Sequence, residues 1–120
     1  MDYKIQSMEN ILLISVKGEL DDHAAKAVRE KADSALCKKE LKHLIFDFSE
    51  LALMDSAGIG LIMGRYRLIR PRQGKTAIIC KNDSVRKILK MSGLFKLFKC
   101  YSDFQEAYDY LTKESKEVTI

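Results

Sequence analysis

The segment HLIFDF at residues 43–48 constrains the fold more than any other part of the chain, because its apolar residues are nearly continuous. Strands of this kind are typical of a parallel sheet that is covered on both faces. Another apolar, β-branched run, NILLISVKGEL at residues 10–20, precedes it and also predicts a strand. Between the two runs, apolar residues recur at helical spacing: Ala25, Val28, Ala32, Ala35 and Leu36. The sequence therefore predicts a parallel β-α-β unit with a right-handed crossover.

The rest of the chain continues this alternation of strands and helices. Tyr3 and Ile5 alternate with polar residues, which predicts a short first strand joined to the second by a hairpin through Glu9-Asn10. KTAIICK and FKLFKCY are also predicted strands, and each is followed by a predicted helix. At 120 residues, without repeats, the α/β chain is expected to form one domain over residues 1–120, with a loose tail from about residue 113.

Short polar residues are expected to cap the helices, because they accept hydrogen bonds from the first free amides. The predicted caps are, in chain order, Asp21 or Asp22, Asp83 or Ser84, and Ser102 in a capping box with Gln105. Pro71 and Gly74 are expected to end the second helix. Gly93 is expected to adopt the left-handed conformation that closes a helix, with Leu94 packing against that end.

The composition excludes several classes of function. The chain is 47% hydrophobic and 32% charged with a net charge of +4, which is typical of a globular protein. Most basic residues are dispersed and lack the aromatic interleaving of RNA-binding surfaces, so no nucleic-acid partner is expected. Four clustered arginines are candidates for contact with an acidic protein: Arg65, Arg67, Arg70 and Arg72.

Other sequence features predict a cytoplasmic protein without a metal or cofactor. No apolar run approaches the ~20 residues that span a membrane, and the start, MDYKIQSMEN, lacks the features of a signal peptide. The three cysteines, Cys37, Cys80 and Cys100, are far apart and form no CxxC pair. They are therefore expected to be reduced thiols rather than disulfides or zinc ligands.

The stretch LMDSAGIGLIMGRYR at residues 53–67 places an acid, a hydroxyl and three glycines at a predicted helix start. Ser56 is expected to cap this helix, which would stabilise it by ~1 kcal/mol. The glycine spacing does not match a nucleotide-binding loop, and no lysine lies beside Gly64. The two histidines, His23 and His43, lie in no recognisable triad context, so Ser56 is not expected to be a catalytic nucleophile.

The helix after Ser56 carries two apolar stripes when its residues are projected at about 100° each. The bulkier stripe, which is expected to cover the sheet, comprises Ile59, Ile62, Met63, Tyr66 and Ile69. The smaller stripe comprises Ala57, Leu61, Gly64 and Leu68, flanked by Arg65 and Arg67. It is expected either to pack on a neighbouring helix or to bind a partner. Because an interior glycine costs ~1 kcal/mol relative to alanine, Gly60 and Gly64 favour partner contact.

Ser56 is also a candidate for phosphorylation. The start of a helix favours an anion, and a phosphate there would carry nearly two negative charges. That charge would lie beside Asp55, at the edge of the smaller stripe. It would act on a docked partner by repulsion and desolvation, with little refolding of the domain.

Three stretches resemble the anti-sigma factor antagonists of the STAS domain family: GELDDHAA, LIFDFSELALMDSAGIGLIMGRYRLI and MSGLFKLF. The MDS-x-G-[LI]-G block is specific for this family. GRYRLI and MSGLFKLF resemble the sporulation branch, the SpoIIAA type, more than the general-stress branch. The resemblance implies a mixed sheet of four to five strands with helices mainly on one face.

The resemblance also implies a non-catalytic role in partner switching. The unphosphorylated antagonist binds an anti-sigma factor and thereby frees a sigma factor. The anti-sigma factor is an ATP-dependent serine kinase that phosphorylates the serine after the motif aspartate, which is Ser56 here. Phosphorylation ends the binding, and a metal-dependent serine phosphatase restores it. Neither direct nucleic-acid binding nor membrane association is implied, and the sigma system stays open.

The same resemblance assigns Asp21 to the partner-binding surface and Asp55 to the acid beside the phosphorylated serine. Ala57 stands where many relatives carry a second hydroxyl, so Ser56 is the acceptor within the motif. Together with the helix projection, this gives the predicted partner-binding residues Asp21, Asp55, Ser56, Ala57, Gly58, Leu61, Gly64, Arg67 and Leu68.

The alternative is a stand-alone receiver domain phosphorylated on Asp55. Asp21-Asp22 could supply the acidic pair that holds magnesium in such a domain. The leading antiparallel hairpin and the lack of a matching late lysine argue against it. A small nucleotide-binding enzyme is a third hypothesis, which predicts that nucleotide stabilises the isolated protein.

Overall fold

The computed structural model describes residues 2–38 and 40–113. Strands β1 to β6 span Asp2–Met8, Ile11–Leu20, His43–Asp47, Leu51–Met54, Thr76–Ile79 and Cys100–Tyr101. Helices α1 to α4 span Asp22–Lys38, Ser56–Ile69, Asp83–Met91 and Phe104–Thr112. Short 3₁₀ turns follow α2 and α3, at Arg70–Arg72 and Leu94–Lys96. The predicted α/β fold class is confirmed. The part of the expected tail from residue 114 onward lies outside the described residues.

The strands form one mixed sheet with the main order β1-β2-β3-β5-β6. β1 runs antiparallel to β2 in a tight hairpin in which Met8 pairs with Ile11, as predicted. All other pairs are parallel, and β3 lies between β2 and β5. The apolar segment that includes β3 therefore occupies the centre of the sheet, which explains why both of its faces are apolar.

The sheet has six strands rather than the four to five that the resemblance implied. The additional strand, β4, pairs in parallel with the last three residues of β2, with a shift in register between Gly18 and Glu19. The sequence does not predict β4, because the strand is short and its two central residues, Ala52 and Leu53, are both exposed. That pattern lacks the alternation by which strands are usually identified. β4 ends directly at the start of α2.

The helices lie mainly on one face of the sheet, as expected. α1, α2 and α3 cover a large apolar cluster that includes Leu12, Phe46 and Ile78 from the strands. α4 alone covers part of the opposite face, where Ala107 and Leu111 pack on a smaller cluster around Ile45. α1 and α2 lie side by side on the same face. Their contact determines which residues of α2 stay accessible.

Two predicted helix caps are shifted by one residue. Asp21, one of the two predicted caps, caps α1 and accepts a hydrogen bond from the Ala24 amide at 2.9 Å. Asn82, rather than Asp83 or Ser84, caps α3 through the amides of Ser84 and Val85. In α4 the cap is Asp103, which accepts from the Glu106 amide, so the predicted box of Ser102 with Gln105 is wrong. The Glu106 carboxylate accepts from the Ser102 amide. Each stretch contains adjacent residues that can act as caps, so composition alone does not fix the boundary.

The other helix boundaries are close to those expected. α2 ends just before the turn that contains Pro71. Gly93 has φ +83°, and Leu94 beyond it is buried, so the predicted closure of α3 is confirmed. The predicted strand FKLFKCY is mostly wrong, because its first residues form a 3₁₀ turn and only Cys100–Tyr101 pairs with β5.

The three cysteines are free thiols, as predicted. Cys37 is exposed, whereas burial raises the pKa of the Cys100 thiol to about 11 and also raises that of Cys80. Among residues 2–38 and 40–113, no group of acidic residues, histidines and cysteines is arranged to hold a metal ion. Within the same residues, no helix has the length and apolar character needed to cross a membrane.

Candidate functional site

Ser56 is the first residue of α2 and is exposed. The helix cap is Asp55, whose carboxylate accepts a hydrogen bond from the Ala57 amide at 2.8 Å. The prediction that Ser56 caps the helix is therefore wrong. Aspartate caps a helix as well as serine does, and Asp55 has the extended backbone that a cap needs. The Ser56 hydroxyl makes no hydrogen bond within the described part of the chain.

Gly58 is needed for packing beneath the start of α2. It is buried, its amide donates to the Asp55 carbonyl at 3.0 Å, and a Cβ at this position would overlap the Met54 side chain. Gly58 therefore packs within the fold beneath the start of α2. Gly60 and Gly64 differ, because a Cβ at either position would meet no atom within 4 Å.

The smaller stripe of α2 is divided between the core and the surface. Leu61 is only 3% exposed, so it takes the packing role, one of the two roles predicted for this stripe, rather than a place on an open face. The helix projection treated α2 by itself, whereas α1 lies beside it and covers Leu61. Ala57 and Gly64 are half-buried. Arg67 and Leu68 are exposed, as predicted.

The bulkier stripe of α2 faces the core as predicted. Ile62 and Ile69 are fully buried. The other three members are half-buried against the same cluster: Ile59, Met63 and Tyr66.

Arg65 joins α2 to α1 beneath the surface. Its guanidinium lies 2.8 Å from the Asp33 carboxylate and also donates to the Leu61 carbonyl at 3.2 Å. The arginine is only 6% exposed. Burial lowers the pKa of Arg65, Asp33 raises it, and the nearby charge of Arg29 lowers it. No sequence signal pairs Arg65 with Asp33, since the pair exists only once the two helices pack together.

The four predicted arginines do not form one surface cluster. Arg65 is buried, and Arg72 donates hydrogen bonds to the carbonyls of Leu41 and Leu36 at 2.6 and 3.3 Å. Arg67, Arg70 and Arg72 are exposed, so Arg65 alone leaves the predicted surface group. Arg72 is engaged through its two hydrogen bonds, which leaves Arg67 and Arg70 as the exposed arginines of the group without an ion pair among the described residues.

An acidic surface lies on the β4 side of Ser56. A shallow cavity of about 180 Å³ is lined by Glu19, Leu20, Asp21, Leu53, Met54 and Asp55. We call this surface the acidic edge. It has three carboxylates around Leu53, whose side chain is 54% exposed although it is large and apolar. Asp21 and Asp55 were predicted partner-binding residues, whereas Glu19 and Leu53 were not, because β4 was not predicted.

A groove of about 510 Å³ lies on the other side, between α1 and α2. It is lined by Asp22, Ala25, Lys26, Arg29, Ala57, Gly60, Leu61 and Arg65. We call it the α1/α2 groove. Lys26 and Arg29 were not predicted as site residues, because only the packing of the helices shows which exposed residues of α1 face α2.

Comparison with known proteins gives the family. The STAS domain model matches residues 2–107. The chain belongs to the STAS domain family. It is 34% identical over 103 residues to an anti-sigma F factor antagonist from Paenibacillus polymyxa, covering 86% of this chain and 88% of that protein.

Two solved structures of STAS proteins are also similar. The anti-sigma factor antagonist SpoIIAA in its unphosphorylated form has a TM-score of 0.81 and 28% identity, covering 99% of this chain and all of that one. The Bacillus cell fate determinant SpoIIAA in its phosphorylated form has a TM-score of 0.72 and 29% identity, covering 91% of this chain and 98% of that one. The predicted resemblance to the SpoIIAA type is confirmed.

Proposed function

We propose that this STAS protein is an anti-sigma factor antagonist that is switched by phosphorylation of Ser56. In this account, the unphosphorylated chain binds an anti-sigma factor with serine kinase activity and thereby frees a sigma factor. Phosphorylation of Ser56 ends that binding, and a metal-dependent serine phosphatase reverses it. The names of the similar proteins support the antagonist role. The similar structure of a phosphorylated form supports the switch.

The observation that carries this proposal is the exposed, unengaged hydroxyl of Ser56 at the start of α2. Since Asp55 caps the helix, Ser56 has no structural task that phosphorylation would disturb. An anion in the first turn is also compatible with the helix dipole. The fold is therefore expected to tolerate the phosphate.

The surroundings of Ser56 explain how the phosphate would act. Asp55 already occupies two amides of the first turn, because its carboxylate binds the Ala57 amide and its carbonyl binds the Gly58 amide. Fewer amides are then available to neutralise a phosphate on Ser56 than the helix start alone would suggest. The added charge would instead lie next to the Asp55 carboxylate and face a docked partner, which it would repel.

The accessible part of the predicted partner surface is smaller than expected. Leu61 and Gly58 are buried, so we assign the contact surface to the exposed or half-buried residues Asp21, Asp55, Ser56, Ala57, Gly64, Arg67 and Leu68. The exposed Leu53 joins them, because it lines the acidic edge together with Asp21 and Asp55. A large exposed apolar side chain rimmed by charges is typical of a protein-binding surface.

The receiver alternative has no support in the structure. The Asp55 carboxylate is engaged in capping α2, the first strand pair is antiparallel, and the family is STAS. We therefore propose a regulatory protein rather than an enzyme. Its assignment to sporulation and to the cytoplasm stays a prediction.

A reconstituted switch tests this proposal. The sigma factor and anti-sigma factor of the source organism are combined, the chain is added, and release of the sigma factor is followed by size-exclusion chromatography. The unphosphorylated chain is expected to displace the sigma factor. Addition of ATP should end the displacement for the wild type but not for Ser56→Ala. Failure of the unphosphorylated chain to bind any anti-sigma factor of that organism would contradict the proposal.

A further inference from the structure

The α1/α2 groove contains a glycine that packing within the chain does not require. Gly60 is exposed on the groove wall, and a Cβ there would meet no atom within 4 Å. Glycine is less favourable than alanine inside a helix. Gly58, two residues earlier, must be glycine because Met54 packs against it, whereas no contact within the chain requires glycine at position 60. A glycine at such a site lets another backbone approach closely.

The same groove carries unpaired positive charge. Lys26 and Arg29 are exposed, and neither forms an ion pair with any residue in the described part of the chain. Arg65 at the groove wall is neutralised by Asp33, so it adds no free charge. Asp22 is the single acidic residue of the lining. The groove therefore presents two free cations against one carboxylate, above the apolar side chains of Ala25, Ala57 and Leu61.

We propose that the α1/α2 groove binds an acidic segment of the anti-sigma factor, whose carboxylates contact Lys26 and Arg29 and whose backbone lies against Gly60. This inference rests on the proposed function, since it adds a second contact region beside Ser56. A protein segment fits better than a nucleic acid or an anionic membrane. The acidic edge lies on the other side of Ser56 and would repel any extended polyanion. A folded protein can instead present opposite charges to the two surfaces.

Binding measurements with substituted chains test the proposal. Isothermal titration calorimetry with the anti-sigma factor of the source organism is carried out at low and high salt. Lys26→Glu and Arg29→Glu are each expected to weaken binding at least about tenfold at low salt and to reduce the salt dependence. Lys31→Glu is the matched control, since Lys31 is an exposed lysine of α1 outside the groove. It should bind as the wild type does.

Gly60→Ala separates partner contact from stability. Because nothing lies near the added Cβ, this variant is expected to unfold at a higher temperature than the wild type. It is also expected to bind the anti-sigma factor several-fold more weakly, because the methyl group would keep the partner's backbone away. A stabilised variant with weaker binding cannot be explained by damage to the fold.

Four outcomes would overturn the inference in different ways. Wild-type affinity in both charge-reversal variants would show that no acidic segment lies in the groove. Wild-type affinity in Gly60→Ala would show that the partner's backbone does not lie close to Gly60. If the charge-reversal variants and Gly60→Ala bind normally while Ser56→Asp does not bind, the groove assignment fails and the proposed function stands. If the wild-type chain binds no anti-sigma factor, both fail together.

Discussion

The two surfaces beside Ser56 carry opposite charge although they are only a few residues apart in sequence. The acidic edge gathers Glu19, Asp21 and Asp55 around an exposed leucine, and the α1/α2 groove carries Lys26 and Arg29. Asp55 lines one surface and Ala57 lines the other, so Ser56 lies at the boundary between them. Such a dipolar arrangement would orient a protein partner as well as attract it.

The difference also explains why one phosphate could have a large effect. Charge added at the boundary strengthens the acidic edge and offsets the positive charge of the groove. The second change opposes a partner whose acidic segment lies in the groove, because the phosphate would repel that segment. The effect would be electrostatic and local, since neither surface needs to move. Substitutions that change one part of this arrangement at a time test it, and their expected effects range from a loss of binding of about 100-fold to one of about threefold.

Ser56→Asp adds a permanent negative charge at the boundary. We expect the affinity for the anti-sigma factor to fall about 100-fold or more, because like charges in an interface cost several kcal/mol. The melting temperature should be unchanged or slightly higher, since an acid in the first turn of a helix is favourable. Calorimetric titration and thermal unfolding measure the two effects. Ser84→Asp, an exposed serine in the first turn of α3, is the control and should bind normally.

Asp33→Ala removes the carboxylate that neutralises Arg65 at the groove wall. The buried guanidinium would be left unpaired, and we expect the free energy of unfolding to fall by about 2 kcal/mol. The expected loss is smaller than for a fully buried pair because the Asp33 side chain is 39% exposed. Urea denaturation measures it. Glu30→Ala, an exposed acid on the same helix, should change stability little. An equal loss in both variants would show that the ion pair contributes nothing.

Leu68→Asp tests whether the partner's contact extends along α2. Leu68 is 45% exposed, so the free energy of unfolding should change by less than about 0.5 kcal/mol. Binding should weaken about tenfold, because a carboxylate would be desolvated in the interface. Met91→Asp is the control, since Met91 is also an exposed apolar residue but belongs to α3. Wild-type affinity in Leu68→Asp would confine the contact surface to the start of α2.

Asp21→Asn removes one charge of the acidic edge without removing a cap. Asparagine caps a helix as well as aspartate does, so the bond to the Ala24 amide is retained and the melting temperature should not change. We expect binding to weaken about threefold at low salt and less at high salt. Asp103→Asn makes the same change at the cap of α4 and should leave binding unaltered. A lower melting temperature in Asp21→Asn alone would indicate a structural role for this charge.

Local patterns predicted the long elements of the fold well. The central strand β3, the first hairpin and the four helices were all expected from apolar spacing, and Ser56 was placed at a helix start. β4 was missed because two successive exposed residues, Ala52 and Leu53, conceal it. Its absence from the prediction also concealed the acidic edge, which depends on the pairing of β4 with β2.

Contacts between helices could not be predicted from the sequence patterns. A projection of α2 alone places Leu61 and Arg65 on or beside an open stripe, yet α1 covers both residues. For the same reason the projection could not show that Lys26 and Arg29 of α1 face Gly60 of α2 across a groove. The family motif supplied the position of the serine, and packing supplied the charges around it.

Phosphate mapping tests the central claim most directly. The chain is incubated with ATP, magnesium and the anti-sigma factor kinase of the source organism, and the products are analysed by peptide mass spectrometry and size-exclusion chromatography. We predict a single phosphate on Ser56, none in Ser56→Ala, and separation of the phosphorylated chain from the anti-sigma factor. A phosphate on Ser49 or Ser84, or a complex that persists after Ser56 is fully phosphorylated, would contradict the account.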